Sequence, residues 1–358
     1  MSKTKRLHEL GQSLWLDKIT REILDDGTLR RYRDELSITG LTSNPTIFDE
    51  AIGNSGAYDR GIRDKAKAGQ AGEALFLELA LEDLRRAATL FRPIFDATAG
   101  VDGWVSMEVS PLLASNTSGS IEAAARIYQL ADRPNLFVKI PGTPEGIPAI
   151  EESIFAGVPI NVTLLFSREQ YLASAEAYLR GIERRIAAGL DPRVASVASL
   201  FVSRWDKATM DKVPANLRSK LGLAISGRAY KAYRDLLTSD RWQRLAGWGG
   251  RTQRLLFAST STKDPKASDV LYIGALAAPN TVDTMPEETL LAFHDHGSVG
   301  GTVPRDGGDA ETVLAAFGKA GVDIDALAAK LQTDAAKSFV DSWQDLLKAI
   351  DAKSKVLA

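Results

Sequence analysis

The sequence contains no cysteine and only three histidines among its 358 residues. The absence of cysteine excludes disulfides, thiolate nucleophiles, iron–sulfur clusters and cysteine-based zinc sites. His8, His294 and His296 are too few for a histidine-rich metal centre, so no metal site is predicted. No run of about 18 apolar residues occurs, and the N-terminal segment lacks the apolar stretch of a secretion signal. We therefore expect a cytoplasmic protein without a membrane span.

The charges of the chain are nearly balanced. Its 44 basic and 46 acidic residues give a formal net charge of -2, which indicates no general affinity for nucleic acids or acidic membranes. A hydrophobic fraction of 44% with 25% charged residues is ordinary for a globular protein with a large core. The expected partners are small molecules, with no nucleic acid and no membrane, and the sequence leaves open whether the chain is a monomer or a homodimer.

Short apolar runs alternate with long amphipathic stretches along the chain, a pattern typical of parallel strand–helix units. Eight such runs fit a closed (β/α)8 barrel, which leaves no hydrophobic sheet edge. An open doubly wound sheet competes, but no glycine-rich dinucleotide fingerprint follows any run. We predict one α/β domain over residues 1–358, a TIM barrel with extra terminal helices whose tail, residues 309–358, packs outside. The predicted strands are Ser13–Leu16, Ser37–Thr42, Trp104–Val109, Leu136–Ile140, Ile160–Leu165, Val197–Val202, Arg254–Ser259 and Asn280–Asp283.

One lysine stands inside a predicted buried strand. Lys139 lies in the apolar run Leu136–Ile140, which stops at Pro141-Gly142. Burying an unpaired ammonium is costly, and a desolvated, partly neutral amine can attack a carbonyl to form a Schiff base. The alternative is a lysine at a strand end whose stem carries the ammonium out to solvent.

In such a barrel the chemistry sits where the strands end and the following loops begin. The strand ends of this chain supply one amine, two carboxylates, several hydroxyls and amides, and a few cations. The amine can form a covalent intermediate, the carboxylates can divide acid and base duties, and the cations can hold a phosphate. These residues are Asp17, Thr42, Ser43, Asn44, Glu108, Lys139, Asn161, Thr163, Ser199, Phe201, Arg204, Ser259, Ser261 and Lys263.

Several of these residues also allow a purely structural interpretation. Asp17 could cap a helix that follows the first strand, and Thr42 and Asn44 could shape the turn before a proline. Glu108 faces either the barrel interior or the outside, where helices should cover it, so the interior is favoured. Arg204 could be an ordinary surface arginine. Asn161 is harder to explain structurally, because a buried amide needs partners.

Six stretches, in order and over nearly the whole chain, resemble a transaldolase of the longer bacterial type. The resemblance implies a single barrel of the class I aldolase kind with its Schiff-base lysine on the fourth strand, where Lys139 lies. The stretches are Leu14-Trp15-Leu16-Asp17, Gly40-Leu41-Thr42-Ser43-Asn44-Pro45-Thr46, Val105-Ser106-Met107-Glu108-Val109-Ser110, Phe137-Val138-Lys139-Ile140-Pro141-Gly142-Thr143, Ile160-Asn161-Val162-Thr163-Leu164-Leu165-Phe166-Ser167 and Ser199-Leu200-Phe201-Val202-Ser203-Arg204.

The same resemblance implies roles for individual residues. Asp17 would handle the proton of the substrate C4 hydroxyl, while Glu108 and Thr163 would orient a water during imine formation and breakdown. Arg204 would bind phosphate. Where the family often has Ser-Phe-Arg-Asn, this chain has Ser259-Thr260-Ser261-Thr262-Lys263-Asp264, so a lysine or a serine replaces the arginine. The remaining predicted substrate-binding residues are Thr42, Asn44, Asn161, Ser199, Phe201, Ser259 and Ser261.

The activity implied by the resemblance is transfer of a dihydroxyacetone unit. Sedoheptulose 7-phosphate and glyceraldehyde 3-phosphate would give erythrose 4-phosphate and fructose 6-phosphate, in the pentose phosphate pathway. Because the protonated imine is the electron sink, neither a metal nor an organic cofactor is expected. Two alternatives stay open at this point: an aldolase that releases dihydroxyacetone from fructose 6-phosphate, and a barrel that binds sugar phosphates without catalysis.

Overall fold

In the computed structural model, which describes residues 2–357, eight parallel strands close into a barrel in chain order. Met1 and Ala358, the two ends of the predicted domain, lie outside the described residues. The strands are β1 Ser13–Asp17, β2 Ile38–Thr42, β3 Val105–Glu108, β4 Leu136–Pro141, β5 Ile160–Leu165, β6 Ser196–Phe201, β7 Gln253–Ala258 and β8 Val282–Met285. The predicted α/β class and the eight-stranded (β/α)8 barrel are confirmed.

Helices connect the strands and extend both ends of the described chain, residues 2–357. Two short 3₁₀ helices lie at Pro111–Leu113 and Ala215–Leu217. The α-helices are α1 Lys3–Glu9, α2 Arg21–Asp25, α3 Thr28–Leu36, α4 Pro45–Gly53, α5 Asp59–Lys67, α6 Gly72–Ala97, α7 Thr117–Ala131, α8 Gly146–Ala156, α9 Arg168–Ala187, α10 Ser203–Thr209, α11 Leu221–Thr238, α12 Asp240–Gly247, α13 Leu271–Ala275, α14 Glu287–His296, α15 Ala310–Lys319 and α16 Ile324–Leu357. None of these helices is long and apolar enough to cross a membrane.

Seven of the eight predicted strands agree with the structure to within one residue at each end. The eighth prediction, Asn280–Asp283, was wrong, because β8 covers Val282–Met285. Asn280 has a φ of 60°, in the left-handed region, and its backbone N–H bonds to the carbonyl of Gly11. It therefore belongs to the turn that precedes the strand, and the strand starts two residues later.

The strand register gathers polar side chains at the C-terminal end of the barrel. Glu108 on β3, Lys139 on β4 and Asn161 on β5 are register partners in adjacent strands, and Asp17 on β1 pairs with Thr42 on β2. Partners in a parallel sheet point to the same face, so Glu108, Lys139 and Asn161 enter the barrel interior together.

An apolar layer closes the barrel beneath these polar groups. Phe137 precedes Lys139 by two residues and shares its face, because side chains alternate along a strand. The Phe137 ring stacks on Trp104 with centroids 3.9 Å apart, and Trp15 lies 6.1 Å from it at a tilt. Aromatic contacts of this kind stabilise by about 0.5–1.5 kcal/mol beyond the area that they bury. A layer of buried aromatic side chains therefore lies beneath the polar site.

Candidate active site

The amine of Lys139 lies inside the barrel rather than in solvent. The residue is 5% exposed, and Nζ donates a hydrogen bond to the carbonyl of Ser43 at 2.9 Å. Nζ also lies 3.1 Å from Oε2 of Glu108, an ion pair whose angles fall outside hydrogen-bond geometry. The buried position excludes the solvent-directed lysine that the sequence left open, and it puts the amine next to a carboxylate that can exchange a proton with it.

Glu108 is the more deeply placed of the two carboxylates. It is 6% exposed, and within residues 2–357 neither carboxylate oxygen has a hydrogen-bond partner. Burial raises the pKa of Glu108, the Lys139 charge opposes the rise, and the charge of Asp17 adds to it. A carboxylate with a raised pKa beside an ammonium accepts a proton readily, and the amine that remains is then a nucleophile.

Asp17 ends β1 on the opposite side of the barrel mouth. Its Oδ1 accepts a hydrogen bond from the Thr42 hydroxyl at 2.6 Å, and the Thr42 hydroxyl is also 2.7 Å from that of Thr284. Burial raises the pKa of Asp17, while the Lys139 charge, the Thr42 hydrogen bond and the Arg204 charge oppose the rise. Asp17 is therefore a fixed carboxylate that faces the amine and can serve as a base.

Two of the structural alternatives are now decided. The idea that Asp17 caps a helix is wrong, because α2 begins at Arg21 and the Thr20 side chain caps it. Asn44 does cap a helix: its side chain accepts a hydrogen bond from the N–H of Ile47 at 3.0 Å at the start of α4. The Oδ1 atom of Asn44 is thus already occupied, while the Thr42 hydroxyl belongs to the mouth.

Asn161 belongs to a chain of buried hydrogen bonds below the amine. The Ser199 hydroxyl donates to Oδ1 of Asn161 at 2.7 Å, and Nδ2 of Asn161 donates to the Ser106 hydroxyl at 3.2 Å. These bonds link β3, β5 and β6 and satisfy the amide, as burial requires. The hydroxyl of Thr163, one layer above Asn161, is fully buried and has no partner within residues 2–357.

The backbone just after Thr163 is irregular and is held by the C-terminal tail. Leu164 has a φ of 60°, and the register of β5 against β6 shifts between Val162 and Leu165. A left-handed conformation in a leucine is strained and needs support from its surroundings. The side-chain amide of Gln332 on α16 provides this support, because its Nε2 donates hydrogen bonds to the carbonyls of Leu164 at 2.9 Å and Gly142 at 3.0 Å.

We predict that Gln332→Met lowers the free energy of unfolding by about 1–3 kcal/mol, because it leaves two buried carbonyls without their donor at nearly constant volume. Urea unfolding monitored by circular dichroism measures the change. Thr333→Met, at the exposed neighbour on the same helix, is the control and should leave stability unchanged. Equal midpoints for both variants and the wild type would show that the tail does not hold the ends of β4 and β5.

Cations gather on the β6–β7 side of the mouth. Arg204, in the first turn of α10, lies half-buried with its guanidinium carbon 5.3 Å from the centre of the Phe201 ring. Burial lowers the pKa of Lys263, Glu288 opposes the shift, and the nearby charges of Lys207 and Arg204 lower it further. Within residues 2–357, none of these three cations forms an ion pair with a carboxylate. The cluster is therefore a place for an anionic group of a ligand.

The serines of strand seven are engaged with protein groups in this cluster. The Ser259 hydroxyl lies 3.0 Å from that of Ser203, and Nζ of Lys263 donates to the Ser261 hydroxyl at 2.5 Å. Ser259 has a φ of 56°, so the chain turns sharply there and leaves the barrel direction. Lys263 is thus the residue after β7 that brings positive charge to the mouth.

The chain is similar to known enzymes over nearly its whole length. The family described as Transaldolase/Fructose-6-phosphate aldolase matches residues 14–350. A transaldolase of Parafrankia sp. (strain EAN1pec) is 44% identical over 355 residues, which cover 96% of either chain. Transaldolases of Saccharopolyspora erythraea and Thiobacillus denitrificans are each 42% identical, with 98% of this chain and 97% and 100% of theirs covered. The chain belongs to the transaldolase/fructose-6-phosphate aldolase family.

Membership of the transaldolase/fructose-6-phosphate aldolase family confirms the resemblance predicted from the sequence motifs. It also confirms that the chain is an enzyme of the transferase class, and it implies sugar-phosphate substrates. Within residues 2–357 no group of three or more His, Asp or Glu side chains is placed to hold a metal ion. His294 and His296 lie in the last turn of α14, where His296 contacts Asp269 and Asp295.

The sequence did not single out every residue of the mouth. Ser106 precedes Glu108 by two residues, so the two-residue period of the strand could have identified it. Thr284 was hidden by the misplaced eighth strand. Lys207 lies three residues after Arg204 in α10, a spacing that puts two side chains on one helix face. The backbone carbonyl of Ser43 accepts a hydrogen bond from the Lys139 amine. Residue type does not predict such a contact, because every residue has a backbone carbonyl.

Proposed function

We propose that this protein is a transaldolase that transfers a three-carbon dihydroxyacetone unit through a Schiff base on Lys139. The observation that carries the proposal is a buried amine 3.1 Å from one carboxylate and facing a second, both with raised pKa values. The proposed substrates are sedoheptulose 7-phosphate and glyceraldehyde 3-phosphate, giving erythrose 4-phosphate and fructose 6-phosphate in the pentose phosphate pathway of the cytoplasm.

The first step is formation of the imine. Nζ of Lys139 passes a proton to Glu108, and the neutral amine attacks the ketose C2 carbonyl to give a carbinolamine. Glu108 then returns the proton to the departing hydroxyl, and water leaves as the carbon–nitrogen double bond forms. Within residues 2–357 the Glu108 oxygens and the buried Thr163 hydroxyl have no hydrogen-bond partner, and we assign them to bind this water. Asn161 would contact the substrate beside the amine.

The second step is cleavage and transfer. Asp17 accepts the proton of the C4 hydroxyl, the C3–C4 bond breaks, and its electron pair moves into the iminium to give an enamine. The aldose phosphate leaves as an aldehyde. The enamine carbon then attacks the acceptor aldehyde, Asp17 returns its proton to the new hydroxyl, and hydrolysis of the imine frees the product ketose.

Recognition of the substrate is assigned to the two sides of the mouth. Arg204, Lys207 and Lys263 would bind the phosphate, with Arg204 supplying a two-pronged contact and the lysines acting as point charges. The hydroxyls of Thr42 and Ser199, the Asn44 amide nitrogen and the Phe201 ring would line the path of the sugar. Ser259 and Ser261 would act by holding neighbouring residues near the phosphate.

The residues that form or support this site are spread over most of the chain, from Asp17 on β1 to Gln332 on α16. We therefore propose that the chain works as a single domain whose partners are sugar phosphates, as a monomer or a homodimer. A chain with a near-neutral net charge needs neither nucleic acid nor membrane for this chemistry. The electrons are stored on the protonated imine, which is why no cofactor is assigned.

The proposed reaction predicts transfer rather than release. With sedoheptulose 7-phosphate and glyceraldehyde 3-phosphate together, erythrose 4-phosphate and fructose 6-phosphate should form. With fructose 6-phosphate alone, free dihydroxyacetone should appear far more slowly, because the enamine reacts by attack on an acceptor aldehyde and none has been added. Coupled assays of each product measure both rates. Release of dihydroxyacetone as fast as transfer would identify an aldolase instead. No turnover under either condition would indicate a barrel that binds sugar phosphates without catalysis.

A further inference from the structure

A second cavity lies at the other end of the barrel from Lys139. Its volume is about 480 Å³, within the range of small-molecule sites. We call it the basal cavity; the residues that matter to its chemistry are Gln12, Ser13, Asp102, Arg251 and Arg254. Ser13 begins β1 while Asp17 ends it, so the basal cavity opens at the N-terminal ends of the strands. The catalytic steps proposed above use none of these residues.

Two arginines give the basal cavity its charge. Arg254 is 9% exposed. Its Nη2 donates to the Thr281 carbonyl at 2.6 Å and to the Ser13 hydroxyl at 2.8 Å, and its Nη1 donates to the Val101 carbonyl at 3.1 Å. Arg251 donates through Nη2 to the Ala99 carbonyl at 2.7 Å. All of these acceptors are uncharged. Within the described residues, neither guanidinium forms an ion pair with a carboxylate, so donors of both remain available for a ligand.

Among the described residues one carboxylate lines the basal cavity, and it is already engaged. Asp102 accepts hydrogen bonds from the Trp15 indole and the backbone of Gly103, each at 2.9 Å, and from the Ser13 hydroxyl. It therefore reaches Arg254 only through Ser13. Two guanidinium groups against one occupied carboxylate leave the cavity positively charged, and a buried charge is stable only with a compensating partner.

Arg251 lies half-buried at the rim of the cavity, against a glycine turn. Gly100 has a φ of 78°, in the left-handed region that favours glycine, and its lack of a Cβ atom leaves room for Nη1 of Arg251. Gln12, beside Ser13, is fully buried, and its Nε2 donates to the Leu276 carbonyl and to the Thr281 hydroxyl, so it supports the wall of the cavity.

We propose that the basal cavity binds a small organic anion, independently of the Schiff-base chemistry. Phosphate or carboxylate oxygens would bond to Arg251 and Arg254. Two guanidinium forks favour oxygens arranged as in phosphate esters and carboxylates, and the volume limits the ligand to the size of a small metabolite. Because such a ligand binds only the folded chain, its presence raises the melting temperature.

The test measures binding after the cations of the mouth have been removed. In an Arg204→Gln/Lys207→Gln/Lys263→Gln background, isothermal titration calorimetry with glycerol 3-phosphate and with malate separates a phosphate ester from a carboxylate. We expect one molecule per chain for at least one of the two probes. Arg251→Gln in that background should weaken its binding about tenfold or more. Arg244→Gln, on the exposed face of α12, should leave binding unchanged.

A second variant leaves the arginines untouched. Ala195 lines the basal cavity, and Ala195→Leu should fill it and reduce binding, whereas the exposed Ala188→Leu should not. If one of the two cavity variants fails to fold, as judged by circular dichroism, the binding measured with the other variant tests the proposal. Binding of neither probe, or binding that survives in every folded cavity variant, would overturn the proposal. Neither result would affect the transfer assay, so the two proposals fail separately.

Discussion

Lys139→Arg is expected to lower turnover by on the order of 10⁴-fold or more, because it removes the covalent route by which the enzyme lowers the barrier. A guanidinium keeps the positive charge beside Glu108 and can still donate to the Ser43 carbonyl. It cannot lose its proton in a protein, and so it cannot form an imine. Steady-state transfer assays, and borohydride reduction in the presence of fructose 6-phosphate, measure the two losses.

The variant must be shown to fold for that loss to be informative. Overpacking by the longer side chain costs about 1–3 kcal/mol, so a cooperative thermal transition near that of the wild type is expected. Lys337→Arg, on the exposed face of α16, is the matched control and should keep full activity. Turnover in Lys139→Arg at more than a trace of the wild-type rate would rule out Lys139 as the nucleophile.

Asp17→Asn is expected to lower kcat by about 10²–10⁴-fold, the usual contribution of a general base. The isosteric amide oxygen can still accept the Thr42 hydrogen bond, so the geometry of the mouth should survive. Because imine formation is assigned to Lys139 and Glu108, borohydride should still trap a covalent adduct. Rapid-quench assays that follow trapping and carbon–carbon cleavage separately measure the difference. Asp25→Asn, an exposed aspartate after β1, is the control.

The pH dependence gives this variant a second readout. Burial raises the pKa of Asp17, and the base works only when ionised. For the wild type, kcat/KM should therefore fall as the pH drops through a pKa above the ordinary aspartate value. In Asp17→Asn the part of this acid limb that belongs to Asp17 should disappear, while any part due to Glu108 remains. An unchanged profile and a nearly wild-type rate in Asp17→Asn would refute its assignment as the base.

The barrel architecture and the buried lysine at the centre of the site could be predicted from the sequence. The apolar runs located seven strands to within a residue, and a lysine in an apolar run predicted a buried amine. These features could be predicted because strand periodicity and the cost of burying charge are local properties of the chain. The acid–base pair was also accessible, since Asp17 and Glu108 both stand at the ends of apolar runs.

The rest depends on contacts that the sequence order does not reveal. Gln332 bonds to the chain just after β4 and to the irregular segment after Thr163, and its partners are separated from it by at least 168 residues in the sequence. The eighth strand was misplaced because Asn280 adopts a left-handed conformation that its side chain permits but does not dictate. The choice between lysine and serine after β7 is not decided by the sequence, and Lys263 as a phosphate ligand stays a proposal.

The arrangement explains how one lysine can be both buried and usable. Glu108 compensates its charge, the Ser43 carbonyl orients it, and the layer of buried aromatic side chains lies below it. Removing a partner from such a pair is costly, since it leaves the other charge buried alone. Burial raises the pKa of Glu108, which suits this carboxylate to accept a proton from the amine before the amine attacks a carbonyl.

The most direct measurement is peptide mass mapping of the protein after borohydride reduction with fructose 6-phosphate. We expect one added reduced sugar or dihydroxyacetone unit per chain, carried by the peptide that contains Lys139, and no added mass in Lys139→Arg. An adduct on any other lysine, or a wild-type chain that turns over substrate yet gains no mass, would contradict this expectation.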